Sequence, residues 1–275
     1  MLNLGAIKGA FFFNFSWNEI MKNHRFLFAV SLISLLSAPI TDCYAACAQH
    51  HSDLKVRVSK VYDGDTLQLV DGTRIRIIGV NAPESGRRGQ PDEAFARQAK
   101  SLLQSMLSKH QQLVSLQYGP DRLDRYGRTL AHVFLDDGSN IAEQLLLKGL
   151  ASRVAFPPNL WAQDCYQRSE ALARSQNLGI WLHIVTPVDK VSLSDKGFRI
   201  IEGKVTRVAE SKKSIWLNFN EHFAVRIARK DLHQFSQTRF KQLKGRRLQV
   251  RGWMYGYKDK KIIQLRHSSM LEIMK

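Results

Sequence analysis

Three short stretches of this 275-residue chain carry charge where a strand or turn would need none. They are Asp63-Gly64-Asp65-Thr66, Arg76 leading through Gly79 to Asn81 and Glu84, and Asp124-Arg125-Tyr126-Gly127-Arg128. Clustered aspartate oxygens suit a hard cation such as Ca²⁺ or Mg²⁺, which takes oxygen ligands. Two arginines with one glutamate suit phosphoryl chemistry. Guanidinium forks match phosphate oxygens and stabilise added negative charge, and a glutamate can position or deprotonate a water. Taken singly, each of these residues is more often a turn residue or half of a surface ion pair. The nine histidines show no ligand-like spacing, so no zinc site is indicated, and neither a serine-nucleophile motif nor a phosphate-cradling glycine loop occurs.

The elements around these stretches read as a small barrel. LKVRVSKVY (54–62), TLQLV (66–70) and TRIRIIGV (73–80) alternate as strands, the last two joined by the two-residue hairpin signal Asp71-Gly72. Residues 85–92 are a loop by composition. Residues 92–109 switch to helical period, with Phe95, Ala99, Leu102, Leu103 and Met106 on one face and Asp92 and Glu93 in the first turn. LVSLQY (113–118) is a strand, residues 119–127 a polar loop, and RTLAHVFL (128–135) a strand. Asn140 with Glu143 forms a capping box for a second helix, and residues 160–177 a third, beyond the break at FPPN.

Three strands, a helix and two strands is the order of a five-stranded OB-type barrel. A similar order recurs in FRIIEGKVTRVA, SIWLNFN, HFAVRIA, a helical stretch around 230–243, RRLQVRGWM and KIIQLR. The expected fold is therefore mainly β with helices (α+β), an OB-type barrel over residues 46–186 and a second OB-like domain over 187–275. Gly79 and Val80 end the strand that displays Arg76, and Pro83 stiffens the turn that aims Glu84.

YDGDTLQL, RIRIIGVNAPE and DRYGRTLAHVFL, in this order and spacing, resemble the thermonuclease (staphylococcal-nuclease-like) family. The resemblance continues through NIAEQLLLKGLA and SEALARSQNLGIW, covering about residues 54–182. It implies a Ca²⁺-dependent phosphodiesterase acting on DNA and RNA that cuts the bond to the 5′ oxygen. Arg76, Glu84 and Arg128 match the catalytic trio: Glu84 as base or orienter of the attacking water, the arginines as clamps on the scissile phosphate. Asp65 matches a metal ligand, the Ala82 carbonyl supplies another, and Asp63 stands close to the metal. Arg125 and Tyr126 match substrate contacts. Where the family commonly has a second metal-binding aspartate this chain has Asn81, an oxygen donor without charge, which implies weaker Ca²⁺ binding. The competing reading is a non-catalytic nucleic-acid binder that keeps the fold without the metal.

The formal charge of +17 calls for an anionic partner. Residues 187–275 hold 21 Lys and Arg against 8 Asp and Glu, whereas residues 1–186 hold 20 against 16. The basic residues there, Arg251 among them, lie near Trp216, Phe219, Trp253, Tyr255 and Tyr257. A basic barrel with aromatics suits single-stranded nucleic acid; strand aromatics more often fill a core, and an anionic envelope surface is the other partner that fits the charge.

MKNHR (21–25), the apolar run 26–40 and CYAACA (43–48) read as a secretory signal beginning at Met21, with cleavage after Ala45. The expected location is secreted or periplasmic, with an uncleaved membrane anchor as the alternative. Cleavage removes Cys43. Cys47 and Cys165 can then pair, closing a loop of about 118 residues at a gain of roughly 4–5 kcal/mol, or stay apart as a loose tail and a packed thiol.

Overall fold

The computed structural model describes residues 47–86 and 89–274. The leader expected over 1–45, with Met21 and Cys43, lies outside the described residues. Five strands close a barrel: β1 (Leu54–Val61), β2 (Thr66–Leu69), β3 (Arg74–Ile77), β5 (Leu113–Leu123) and β6 (Thr129–Leu135), in the order β1-β2-β3-β6-β5. The short β4 (Val80–Asn81) leaves the barrel to pair with β7 (Ser152–Arg153). Gly72 turns β2 into β3 at φ +88°, a conformation that glycine adopts without penalty. Leu67, Leu69, Ile75, Ile77, Leu116 and Val133 fill the barrel, each at most 1% exposed.

Three helices cover it: α1 (Ala96–Lys109), α2 (Ile141–Leu147) and α3 (Gln163–Ser175). α1 begins four residues later than its periodicity predicts. Phe95 sits ahead of it at φ +68°, and Asp92 and Glu93 are outside its first turn. Both carboxylates instead close the preceding loop, Asp92 on the Gly86 N–H and Arg97, Glu93 on the Glu84 N–H. At α2 the Asn140 side chain accepts from the Glu143 N–H (3.2 Å) as a cap should. The return half of the box is missing, because Glu143 Oε2 accepts from the Cys47 N–H (3.1 Å).

β5 also departs from expectation: it runs through residues 119–123, which composition marks as loop. Asn159 explains it. Its side-chain amide accepts from the Asp121 N–H (2.9 Å) and donates to the Asp121 carbonyl (3.0 Å), acting as a surrogate strand neighbour. A side chain at Gly119 would collide with that amide, its Cβ falling 2.4 Å from Asn159 Oδ1.

The second sheet contains β8 (Val185–Pro187), β9 (Gly197–Lys204), β10 (Arg207–Glu210), β11 (Ser214–Asn218), β12 (Phe223–Ala228), β13 (Arg247–Tyr257), β14 (Lys260–Leu265) and β15 (Leu271–Ile273). Its order is β10-β11-β12-β14-β13-β9-β8, with β15 on β13. As in the first barrel, the third strand of the meander pairs in parallel with the last long strand: β12 with β14 here, β3 with β6 there. The stretch expected to be helical near 230–243 is two short 3₁₀ segments, Arg229–Phe235 and Phe240–Leu243. β8, just ahead of the boundary expected near Pro187, already pairs with β9.

Each sheet has its own apolar core, and a buried ionic network joins them. Arg251 on β13 reaches both oxygens of Glu170 on α3 (2.7 Å each) and Glu272 on β15 (2.8 Å), which also takes Arg174 of α3 (2.7 Å). Arg251 therefore does not join the anionic contact surface that the sequence assigns it to: it is 1% exposed and consumed inside. Phe219 is likewise core, at 2%.

Candidate active site

The start of β2, the end of β3 and the β5–β6 turn converge on one cluster of ion pairs and hydrogen bonds. Asp65, ahead of β2, places Oδ2 on the Ala82 N–H (2.7 Å) and 3.0 Å from Arg76 Nη1. Arg76 projects from β3 between Ile75 and Ile77, and at 11% side-chain exposure most of its donors need protein acceptors. Its guanidinium donates to the carbonyls of Ile77 (3.1 Å) and Val80 (2.9 Å) and to Asn81 Oδ1 (3.3 Å). The fork is thus held by the turn that leads to Glu84.

Thr66 links the second arginine. Its hydroxyl donates to Asp65 Oδ1 (3.1 Å) and accepts from Arg128 Nη1 (3.3 Å). Arg128 is oriented from behind by Asp124, which takes Nε at 2.7 Å on one oxygen and the N–H groups of Tyr126 and Arg128 on the other. Burial pushes the Asp124 pKa up, but these hydrogen bonds and the Arg128 charge outweigh it, so the carboxyl sits below its usual value.

Glu84 is exposed. Its backbone is clamped by Glu93, whose Oε2 accepts from the Glu84 N–H (2.9 Å) and whose own N–H donates to the Glu84 carbonyl (3.0 Å). It lines a cavity of about 420 Å³ with Ser85, Gly86, Gln90, Pro91, Glu93 and Lys196. Arg125 and Tyr126 lie on the exposed turn, with the Arg125 guanidinium 4.7 Å and that of Arg128 5.5 Å from the Tyr126 ring centre.

The residues fit a hard divalent cation. Asp63 and Asp65 are nearly buried, and all available donors are oxygens. The Asp65 carboxyl is pushed up to about 7: burial is the largest cause, Arg76 pulls the other way, and the charges of Asp63 and Glu84 raise it further. A cation beside it would stabilise the ionised carboxylate that burial disfavours. Asp63 also accepts from the Asp65 N–H (3.2 Å), which fixes the loop between them. The Asn81 amide oxygen is turned to Arg76, and its nitrogen lies at 3.5 Å from the Ala82 carbonyl.

A family model described as staphylococcal nuclease homologue matches residues 74–183. The thermonuclease of Staphylococcus intermedius is 34% identical over 128 residues, 45% of this chain and 74% of that protein. The chain belongs to the staphylococcal nuclease family. The thermonuclease of Staphylococcus hyicus is similar at 33% identity over 46% of this chain and 74% of its own length, and endonuclease YncB of Bacillus subtilis at 31% over 46% and 62%. The closed five-strand barrel agrees with the OB-type nuclease fold, and nuclease function is supported at the level of this family. The match ends ahead of β9, so the second sheet is additional to the nuclease part.

Sequence reasoning gives Thr66 and Asp124 no role and assigns Glu93 only to a helix start, although each holds a candidate site residue in place. Asp124 has a legible signal, an aspartate two residues before Tyr126 and four before Arg128, the spacing of a side chain that bonds its own turn. Lys196 has none, because only tertiary folding brings it to the Glu84 cavity. The pairing of His110 with Asp136 and Asp137 at the surface is equally invisible in the histidine spacing. Far from the charged cluster in sequence, Cys47 and Cys165 are joined by a disulfide with Cα atoms 5.7 Å apart.

Proposed function

We propose that the protein is a secreted, Ca²⁺-dependent nuclease that hydrolyses phosphodiester bonds of DNA and RNA. The observation that carries this reading is the path Arg76–Asp65–Thr66–Arg128, one ion pair followed by two hydrogen bonds, which links two guanidinium groups through one buried carboxylate.

In this reading Glu84 accepts a proton from a water, or orients it, as the water oxygen bonds to phosphorus. Arg76 and Arg128 donate charge-assisted hydrogen bonds to the phosphate oxygens, which gain charge as the bond to the 5′ oxygen breaks. Proton transfer to the departing oxygen completes the step and leaves a 3′ phosphate and a 5′ hydroxyl. Asp65 and the Ala82 carbonyl would hold the Ca²⁺, with Asp63 beside them and Asn81 as an uncharged donor. The ion, when bound, supplies positive charge at a phosphate oxygen. Arg125 and Tyr126 contact the substrate strand. The basic second domain, residues 187–275, favours single strands; an anionic envelope surface is the alternative partner for it. Export through the leader is supported by the apolar run 26–40 and fits a disulfide-permissive compartment.

The test is digestion of DNA and RNA with and without EDTA, by wild type and Glu84→Gln. Cleavage that EDTA abolishes, and that falls about 10²–10⁴-fold in Glu84→Gln, is expected. Undiminished cleavage by Glu84→Gln rejects the role of that residue. Binding without any cleavage by wild type supports instead a non-catalytic nucleic-acid binder.

A further inference from the structure

Building on the nuclease reading, we propose that Phe156, Trp253, Tyr255 and Tyr257 form one track for single-stranded nucleic acid, which carries the substrate strand from the nuclease barrel onto the second sheet. Side chains alternate across β13: Met254 is buried in the core, whereas Trp253, Tyr255 and Tyr257 on the opposite face are 38%, 39% and 56% exposed. The Trp253 ring lies 5.5 Å from that of Phe156, which stands in the segment after β7 and is 41% exposed, and 4.9 Å from that of Phe198 on β9. Phe156, Trp253 and Phe198 thus meet where the segment after β7 packs on the second sheet, and Tyr255 and Tyr257 continue the row along β13.

The row is anchored to the site at both ends of this junction. The segment before Phe156 is fixed where the Val154 N–H donates to the Gly79 carbonyl, two residues ahead of Asn81. The segment after it is fixed by Asn159 on Asp121, in the strand that leads into Arg125 and Tyr126. On the other side of Trp253, Phe198 follows two residues after Lys196, which lines the Glu84 cavity.

The chemistry favours an unpaired strand. Alternate residues on a strand stand about 6.7 Å apart, twice the 3.4 Å step between stacked bases in a duplex. Each ring can therefore take a separate, unstacked base, whereas a duplex keeps its base faces covered. Stacking of this kind tolerates any sequence. Phosphate neutralisation is available alongside: Lys258 sits 5.9 Å from the Tyr257 ring centre, Lys260 pairs with Tyr257 across the hairpin, and residues 187–275 carry a net charge of +13.

The experiment measures binding of the full chain to a labelled 20-nucleotide thymidine strand, in EDTA so that nothing is cut. Trp253→Ala and Tyr257→Ala are each expected to weaken this binding about tenfold, the loss of one stacked base, and Trp253→Phe to keep most of it. Affinity for a 20-base-pair duplex, the slope of affinity against salt and, in a separate assay with Ca²⁺, hydrolysis of a nitrophenyl ester of a single nucleotide are expected to stay unchanged. Because Trp253 is packed between Phe156 and Phe198, the exposed Tyr257→Ala decides the matter if Trp253→Ala does not fold. Unchanged single-strand affinity in folded Tyr257→Ala overturns the proposal, as does an equal loss on duplex. Loss of binding to phosphatidylglycerol vesicles, with oligonucleotide binding intact, assigns the face to a membrane and overturns it too. Stacking losses in a protein that cleaves nothing uphold the track while removing the nuclease reading.

Discussion

Arg76 stands 3.0 Å from the buried carboxylate of Asp65, beside the rung that pairs Arg76 with Thr66 across β2 and β3. The pair is a structural tie as well as a chemical one, because the same guanidinium fastens the turn carrying Asn81 and Ala82. Arg76→Lys keeps the charge and loses the planar fork. Nuclease activity should fall about 10²–10³-fold, the scale of a lost oxyanion-type donor. Arg76→Ala should in addition lower stability by about 3–5 kcal/mol, as expected when a buried partner is left alone. Steady-state kinetics and urea unfolding check both.

Asn81 lies next to the ligand candidate Ala82 and lends its oxygen to Arg76. Asn81→Asp adds one negative charge at that point. The Ca²⁺ concentration for half-maximal activity should drop about tenfold or more, since ligand charge sets affinity. Equal metal dependence of both proteins would remove the argument that the missing charge weakens binding.

The bond between Cys47 and Cys165 ties the start of the described chain to α3 across 118 residues. Replacing both cysteines by serine should cost about 2–5 kcal/mol. Unfolding of wild type with and without reductant should show the same difference, and the cysteine-free variant should not respond to reductant.

His132 is buried against Tyr166, its Nδ1 sharing a hydrogen bond with the hydroxyl (2.9 Å). Burial lowers its pKa from 6.5 to about 3. Between those values the unfolded chain binds the extra proton and the folded chain does not, so stability rises with pH. The contribution of His132 is complete above pH 6.5 and is lost as pH falls from 6.5 towards 3. The slope approaches ~1.4 kcal/mol per pH unit. Asp65, whose carboxyl is raised to about 7, binds a proton in the folded chain over the same range and acts in the opposite sense. Urea unfolding at pH 7 and pH 5 should therefore show a slope in wild type that is more positive than that of His132→Gln by up to one proton.

Arg251 and Glu170 join the two sheets through a pair that is 1% exposed on both sides. Arg251→Ala should cost about 3–5 kcal/mol, and Arg251→Met combined with Glu170→Leu should recover only part of it, because Glu170 also accepts from the buried Arg153 N–H (2.7 Å). Because the network spans both sheets, wild type should unfold in one transition by far-UV and tryptophan signals alike. Two separated transitions would show that the interface does not couple them.

The first barrel was legible because its information is local. Alternation places Leu67, Leu69, Ile75 and Ile77 inside, Asp71-Gly72 marks the turn, and the order of strands then admits few topologies. Elements failed to follow local signals where distant side chains replaced local partners. Asn159 turned residues 119–123 from loop into strand, and Glu84 and Gly86 drew Glu93 and Asp92 out of the helix start. In the second sheet the strand segments and their order were readable. The fate of its charges was not, because composition counts Arg251 and Lys258 alike although one is buried in an ion network and the other stands in solvent.

The sequence by itself determined the residue types of the site, the barrel order that displays them and the membership in the nuclease family. Each of these depends on neighbours a few residues apart. Tertiary structure alone decided that Thr66 connects Asp65 to Arg128, that Lys196 borders the Glu84 cavity, and that Phe156 meets Trp253. Those contacts join segments separated by tens of residues, and their partners are chosen by packing and by the need to satisfy buried charge, neither of which leaves a local trace in the chain.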